Sequence, residues 1–163
     1  MHPDAPSGAV ASNHPGAGLV IDYIFTLTPS QLPTRFRADT TYYVSGTASF
    51  MGITFEGGTV IKYAPGASLS AELSVTDESS PFRPAIFTAA DDDSVGDPVN
   101  LGTASFPRPR PTAFYGAPCL DIRGTGSGAI YPCTLSAGNW RFAHAVIGLR
   151  LLGGTGHVLR NSQ

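Results

Sequence analysis

Residues 41–66 read TYYVSGTASFMGITFEGGTVIKYAPG, and this stretch decides the expected fold class. Runs of mainly β-branched and aromatic residues at 42–44, 48–51, 53–55 and 59–63 are each followed closely by glycine or Pro-Gly. Residues of these kinds favour strands, and the alternation of apolar with small or polar residues lets one face be buried. No Asn-Gly or Asp-Gly turn joins the runs, which argues against antiparallel hairpins. The stretch therefore predicts an all-β fold of short strands joined by the turns of a solenoid.

The composition of the whole chain agrees with a turn-rich domain. Glycine (19) and proline (14) make up about a fifth of the 163 residues, against roughly 12% in average usage. Only 13% of residues are charged and the net charge is −2, so a nucleic-acid partner is not expected. No apolar run approaches the ~20 residues of a membrane-spanning helix, so no membrane span is expected.

The end of the chain contains a repeat. Asn139-Trp140 is followed 22 residues later by Asn161-Ser162, a spacing that fits one coil of a solenoid with about 20–25 residues per repeat. A solenoid needs a polar cap over its last coil, and none follows Leu159. We therefore expect a fragment that lacks its C-terminal coils. We also expect self-association through the uncapped end, which a constant monomer mass in light scattering across a concentration series would contradict.

The chain divides into two regions. Residues 1–40 are interpreted as an N-terminal tail, rich in proline, glycine and alanine, with a possible leading strand. Residues 41–163 are interpreted as one β-helix segment. No signal-peptide pattern is present at the start of the chain.

Three stretches resemble large, uncharacterised β-helix proteins of environmental bacteria, the Verrucomicrobia and Planctomycetes among them. They are residues 42–63, the segment PAIFTAADDDSVGD at 84–97, and NWRFAHA at 139–145. The resemblance covers roughly residues 41–163. It implies a right-handed parallel β-helix, a single-stranded solenoid, within a long exported protein of the extracellular space or cell surface. It implies no activity.

The acidic stretch at 91–97 is the sharpest local feature. Its carboxylates Asp91, Asp93 and Asp97, with a glycine for a tight turn, are predicted to bind Ca²⁺, which favours several oxygen ligands from a flexible loop. Val95 and the lack of a glutamate at the twelfth position exclude an EF-hand. The alternative is a solvated acidic turn whose side chains cap backbone amides.

Catalysis is the second reading of the acidic residues. Glycoside hydrolysis needs two carboxylates at a set separation, and the pool consists of the acidic stretch, Asp121, Glu56 and Glu72. On a β-helix, the basic partners of a lyase would be Arg123, Arg141 and Arg150. Nothing in the spacing selects among them, so no catalytic residue and no cofactor other than Ca²⁺ is assigned.

The two cysteines leave two readings open. Cys119 and Cys133 could form one disulfide in an oxidising compartment, or they are two separate small core residues. Neither lies in a zinc-binding pattern.

The remaining motifs have plain structural interpretations. His144 is read as a turn or surface residue. The glycine-rich residues 124–128 and the basic, proline-rich residues 108–111 are read as loops. Trp140 is assigned to the core, although it could stack on sugars, as could Tyr115 and Tyr131.

The function predicted from these features is a non-catalytic structural or binding segment that contacts polysaccharide. The alternative is a carbohydrate-active enzyme of the β-helix type, either a polysaccharide lyase or a glycoside hydrolase.

Overall fold

The fold was examined in a computed structural model, which describes residues 24–26, 34–99, 111, 113–123 and 134–163. The described residues form strands, turns and loops and no helix, so the all-β prediction is confirmed. Within them, no helix long and apolar enough to span a bilayer is found. The twelve strands are β1 (Ile24–Thr26), β2 (Thr34–Phe36), β3 (Thr41–Val44), β4 (Thr47–Glu56), β5 (Val60–Tyr63), β6 (Ser68–Glu78), β7 (Ala85–Ala89), β8 (Leu120–Arg123), β9 (Ser136–Gly138), β10 (Trp140–Phe142), β11 (Leu149–Leu152) and β12 (Val158–Arg160).

The strands form parallel sheets. The first sheet has the order β1-β3-β5-β7-β10, the second has the order β11-β8-β6-β4-β2, and β9 and β12 form a third. Consecutive strands from β1 to β8 alternate between the first two sheets, and each return places the new strand beside the one before it. All pairings between these strands are parallel, which requires crossover connections rather than hairpins. The arrangement is consistent with a parallel β-solenoid.

The two long strands, β4 and β6, are each divided into two paired halves by a shift in register. The register between β4 and β6 shifts between Phe50 and Gly52. The first half of β6 pairs with β8, whereas the second half of β4 pairs with β2. The second half of β6 packs against β9, where Asp77 Oδ2 accepts a hydrogen bond of 2.7 Å from the Gly138 amide. The sequence predicted two separate runs where β4 forms one strand.

Inward side chains from successive coils form an aromatic row in the core. Phe36 stacks on Phe55 with ring centroids 5.3 Å apart, and Phe55 meets the edge of Trp140 at 5.5 Å. Trp140 also contacts Phe87 at 5.6 Å, and Phe87 stacks on Phe142 at 4.7 Å. These rings come from β2, β4, β7 and β10, so one row joins coils far apart in sequence. The assignment of Trp140 to the core is confirmed, since its side chain is fully buried.

One corner of the coil is turned by residues with left-handed backbone. This corner precedes the first sheet, and φ is 53° at Asp39, 92° at Gly58, 58° at Asn139 and 48° at Asn161. Glycine, asparagine and aspartate adopt this conformation most readily. A Cβ at position 58 would lie 2.9 Å from Asp39 Oδ1, which further favours glycine there.

The repeat predicted from the two asparagines is confirmed by strand register. β9 pairs with β12 so that Gly138 lies opposite Arg160, which places Asn139 beside Asn161. The Asn139 amide donates to the Arg160 carbonyl at 2.9 Å. The stacking of one asparagine over the other thus rests on main-chain bonds.

Two strands lie within the region interpreted as a tail. β1 pairs with β3 and β2 pairs with β4, so the coils include part of residues 24–36. Residues 1–23 lie outside the described part of the chain. At the opposite edge, Leu151, Leu152, Val158 and Leu159 on β11 and β12 are exposed. Self-association through this edge stays a prediction.

Candidate functional site

The acidic stretch folds against its own backbone and over the first sheet. Asp91 and Asp92 are buried. The Asp92 carboxylate accepts hydrogen bonds from Thr88 Oγ1 at 2.6 Å and from the Ser94 amide at 3.1 Å. Burial alone would raise the pKa of Asp92, but the hydrogen bonds from Ser94 and Thr88 outweigh it and hold the pKa below its ordinary value. The side chain of Asp92 therefore stabilises the turn in which it lies.

A buried lysine ties this stretch to the sheet. Lys62 on β5 is fully buried, and its Nζ donates to the carbonyls of Asp92 and Asp97 at 2.7 Å each. The Asp97 amide donates to Thr41 Oγ1 at 2.9 Å. Because a buried ammonium must have its donors satisfied, Lys62 fixes the main chain of residues 92–97 against the outer face of the first sheet.

The calcium prediction gains no support from this geometry. Asp91 Oδ2 lies 3.3 Å from the Tyr115 hydroxyl, which donates to it. Among the residues that the structure describes, no group of three or more His, Cys, Asp or Glu side chains is placed to hold a metal ion. Calcium binding by Asp91, Asp93 and Asp97 therefore stays a prediction.

Three members of the catalytic pool do meet on one outer face. Asp121 on β8 accepts hydrogen bonds from Arg123 Nε at 2.8 Å and from Arg150 Nη2 at 2.6 Å and Nε at 3.1 Å. Burial would raise the pKa of Asp121, but the bonds from Arg150 and Arg123 outweigh it, so the pKa lies below its ordinary value. A general acid needs the opposite shift. We call this group the Asp121 cluster.

The Asp121 cluster is expected to lose its stabilising effect in acid. A lowered pKa in the folded chain contributes stability above the unfolded pKa, about 4, and that contribution disappears as pH falls through the lower folded pKa. Because both arginines are partly exposed and screened, Asp121→Asn should lower the free energy of unfolding by about 1–2 kcal/mol at pH 7. The deficit should shrink progressively as the pH falls below about 4. Urea unfolding of the unaltered protein and of Asp121→Asn, at a series of pH values, measures this deficit, and Glu72→Gln is the control. A deficit that does not change with pH would contradict the account.

The other members of the catalytic pool lie elsewhere. Arg35 forms ion pairs with Glu56 and Glu78 on neighbouring strands. Glu72 is partly buried on β6, and Arg141 lies at the coil corner described below.

The cysteines, His144 and the loop motifs either are not members of the Asp121 cluster or lie outside the described residues. Cys119 is buried and forms no disulfide with a described residue, and burial raises the pKa of its thiol to about 12. Cys133, Tyr131 and residues 108–110 and 124–128 lie outside the described residues, so the disulfide stays a prediction. His144 is exposed, with its ring 6.5 Å from that of Phe114.

A polar pocket lies at the coil corner. Its volume is about 370 Å³, part of it open to solvent. It is formed by three segments that are distant in sequence: the turn between β6 and β7, the corner with β10, and the end of the chain. The lining residues are Pro81, Pro84, Asn139, Arg141, Asn161 and Gln163.

Strand register explains the arrangement of the pocket. Trp140 pairs with Ala85, so Asn139 lies beside Pro84, and Asn161 follows one coil later. Gln163 continues the coil: its amide donates to the Trp140 carbonyl at 3.0 Å. Arg141 and Gln163 therefore form a second row beside the asparagines, and amide groups and a guanidinium share one surface. We call this surface the corner pocket.

Two polar groups of the corner pocket are not satisfied by the rest of the described chain. Asn139 Oδ1 is buried and accepts no hydrogen bond from a described residue. Arg141 is exposed and makes no ion pair with the described residues, unlike Arg35, Arg83, Arg123 and Arg150. A buried acceptor without a donor is unfavourable, and a bound ligand or water would satisfy it.

An exposed phenylalanine belongs to the turn that contributes two prolines to the lining of the corner pocket. The turn from Ser80 to Arg83 is closed by two hydrogen bonds, of 3.1 and 3.0 Å. Phe82, at its tip, is 96% exposed and lies between the lining residues Pro81 and Pro84. Arg83 ties the turn down through an ion pair with Asp39 at 2.6 Å. Sequence reasoning missed Phe82, although the flanking prolines in SPFRP indicated a fixed turn.

No protein-family model, no curated protein and no solved structure matches the chain. Its function has to be inferred from the geometry of its own residues.

Proposed function

We propose that this chain is a non-catalytic segment of a right-handed parallel β-helix, within a long extracellular or cell-surface protein, that contacts polysaccharide through the corner pocket. The observation that carries the proposal is that the exposed Phe82 lies in the turn whose prolines help to line a pocket of amides and a guanidinium. Handedness follows from a general rule, because crossover connections between parallel strands of one sheet are right-handed in nearly all proteins.

The chemistry of the corner pocket suits sugar hydroxyls. Side-chain amides of Asn139, Asn161 and Gln163 offer both donors and acceptors, as a hydroxyl does. An exposed aromatic ring gives an apolar surface on which the non-polar face of a sugar ring can pack. Phe82 meets this need at little entropic cost because its turn is closed by hydrogen bonds.

The enzyme reading rests on a single observation, the convergence of Asp121, Arg123 and Arg150. It is weaker because both carboxylate oxygens already accept hydrogen bonds from arginine. A proton-transferring group needs a free oxygen and a pKa near the working pH. The assay below therefore also records released sugar.

The test is affinity electrophoresis through gels containing galactan, mannan, xylan, polygalacturonate or alginate, with reducing sugar measured in parallel. We expect retardation by at least one polymer without sugar release. Phe82→Ala should weaken that binding about tenfold, a change of about 1.4 kcal/mol, in line with aromatic contacts.

A matched control is available in Phe114→Ala. Phe114 is also exposed, at 68%, but the segment around it contributes no residue to the lining of the corner pocket, whereas both prolines of the turn that holds Phe82 do. The Phe114→Ala variant should bind each polymer as tightly as the unaltered protein does. Equal loss in both variants, or no retardation by any polymer, would contradict the proposal. Sugar release that Asp121→Asn abolishes would replace it with the enzyme reading.

A further inference from the structure

The corner pocket contains two unmet requirements that a single ligand class would satisfy. Asn139 Oδ1 needs a hydrogen-bond donor, since it is buried and accepts none from the described residues. Arg141 can take an anion, since no described carboxylate pairs with it. A neutral sugar supplies a hydrogen-bond donor for Asn139 but no anion for Arg141.

The electrostatics of the corner pocket favour a carboxylate. No acidic side chain is among its lining residues, all of which are described. A guanidinium presents paired N–H donors in a plane that matches a carboxylate. The amide of Gln163, in the same row as Arg141, adds a neutral donor.

We propose that the corner pocket selects glycans that carry a carboxylate, with Arg141 binding the acid group and Asn139 accepting a hydrogen bond from a neighbouring hydroxyl. This rests on the proposed polysaccharide binding and narrows it to a substrate class. The net charge of the chain is −2, so a preference for polyanions is not expected from overall charge. Selectivity for acidic glycans therefore has to come from the residues of the corner pocket itself.

The test compares polygalacturonate and alginate each with its neutral counterpart, made by reducing the carboxyl groups of the same polymer to primary alcohols. A sulfated galactan separates carboxylate recognition from attraction to any anion. We expect at least one acidic polymer to bind about tenfold more tightly than its neutral counterpart, corresponding to one charge-assisted pair. The sulfated polymer should bind less tightly than the carboxylated one.

Three variants assign the effect to the corner pocket. Arg141→Gln should abolish the preference, so that the acidic and the neutral polymer bind equally well. Arg160→Gln removes the same charge from an exposed position outside the lining and should change nothing. Asn139→Gly keeps the left-handed backbone and removes the amide, so it should weaken binding to both polymers.

The outcomes separate the two proposals. Equal binding to neutral and acidic polymers, unaffected by Arg141→Gln, would overturn acid selectivity and leave polysaccharide binding intact. A preference that survives Arg141→Gln, falls equally in Arg160→Gln, or extends equally to the sulfated galactan would also overturn it. Unchanged binding in Asn139→Gly would remove the corner pocket as the site. Absence of binding to every polymer would contradict the proposed function itself.

Discussion

Replacement of Trp140 by alanine is expected to lower the free energy of unfolding by about 3–5 kcal/mol, the range for a buried large aromatic residue. Its side chain is fully buried and contacts Phe55, Phe87 and Phe142. The cavity would open in the middle of the aromatic row. Since single domains are stable by about 5–15 kcal/mol, the loss is a large part of the total.

Urea unfolding followed by circular dichroism measures this loss. Trp140→Phe keeps a ring in the row and should cost less, about 1–2 kcal/mol, mainly through the indole N–H and part of its volume. Phe82→Ala removes an aromatic ring from the surface and should leave stability unchanged within about 0.5 kcal/mol. A Trp140→Ala protein as stable as Phe82→Ala would show that Trp140 is not a core residue.

Replacement of Asp77 by alanine is expected to cost about 2–3 kcal/mol, because three donors lose their acceptor. Asp77 pairs in register with Phe55, yet its carboxylate is half-buried. Oδ1 accepts from Trp140 Nε1 at 3.0 Å and from the Ser79 amide at 3.0 Å, and Oδ2 accepts from Gly138. One carboxylate thus satisfies the indole and fixes β9 against the coil that precedes it.

A neighbouring residue provides the control for Asp77. Glu78→Ala removes a carboxylate that pairs with Arg35 at the surface and should cost less than about 1 kcal/mol. Asp77→Ala and Trp140→Phe remove the same hydrogen bond, so the double variant should lose less than the sum, by about 0.5–1.5 kcal/mol. Strict additivity, or equal costs for Asp77 and Glu78, would contradict the assigned contacts.

Much of the fold is predictable where the coils are short. Between Thr41 and Tyr63 each strand follows its predecessor after a tight turn, so alternating apolar residues and glycines directly predict β3, β4 and β5. The pattern is lost after β7, because Ala85 pairs with Trp140 across a long intervening segment. The asparagine repeat remains visible in the sequence, since a left-handed corner favours asparagine at both Asn139 and Asn161.

The candidate site was harder to predict, because its parts come together only through stacking. The carboxylate side chains of the acidic stretch at 91–97 led to the prediction of a Ca²⁺ site. Its observed role lies instead in main-chain carbonyls held by Lys62 and in the turn built by Asp92. The corner pocket combines three distant segments, and nothing local in the sequence brings Pro81 next to Asn139 and Gln163. The convergence of Asp121 with Arg150 likewise depends on the register of β8 and β11.

Hydrogen–deuterium exchange with the polymer that binds best tests polysaccharide contact at the corner pocket most directly. The account predicts slower exchange in residues 80–84, 139–142 and 160–163 when the polymer is added, with no change around Asp121 in residues 118–123. Protection confined to residues 118–123 and 147–152, or no protection anywhere at saturating polymer, would contradict it.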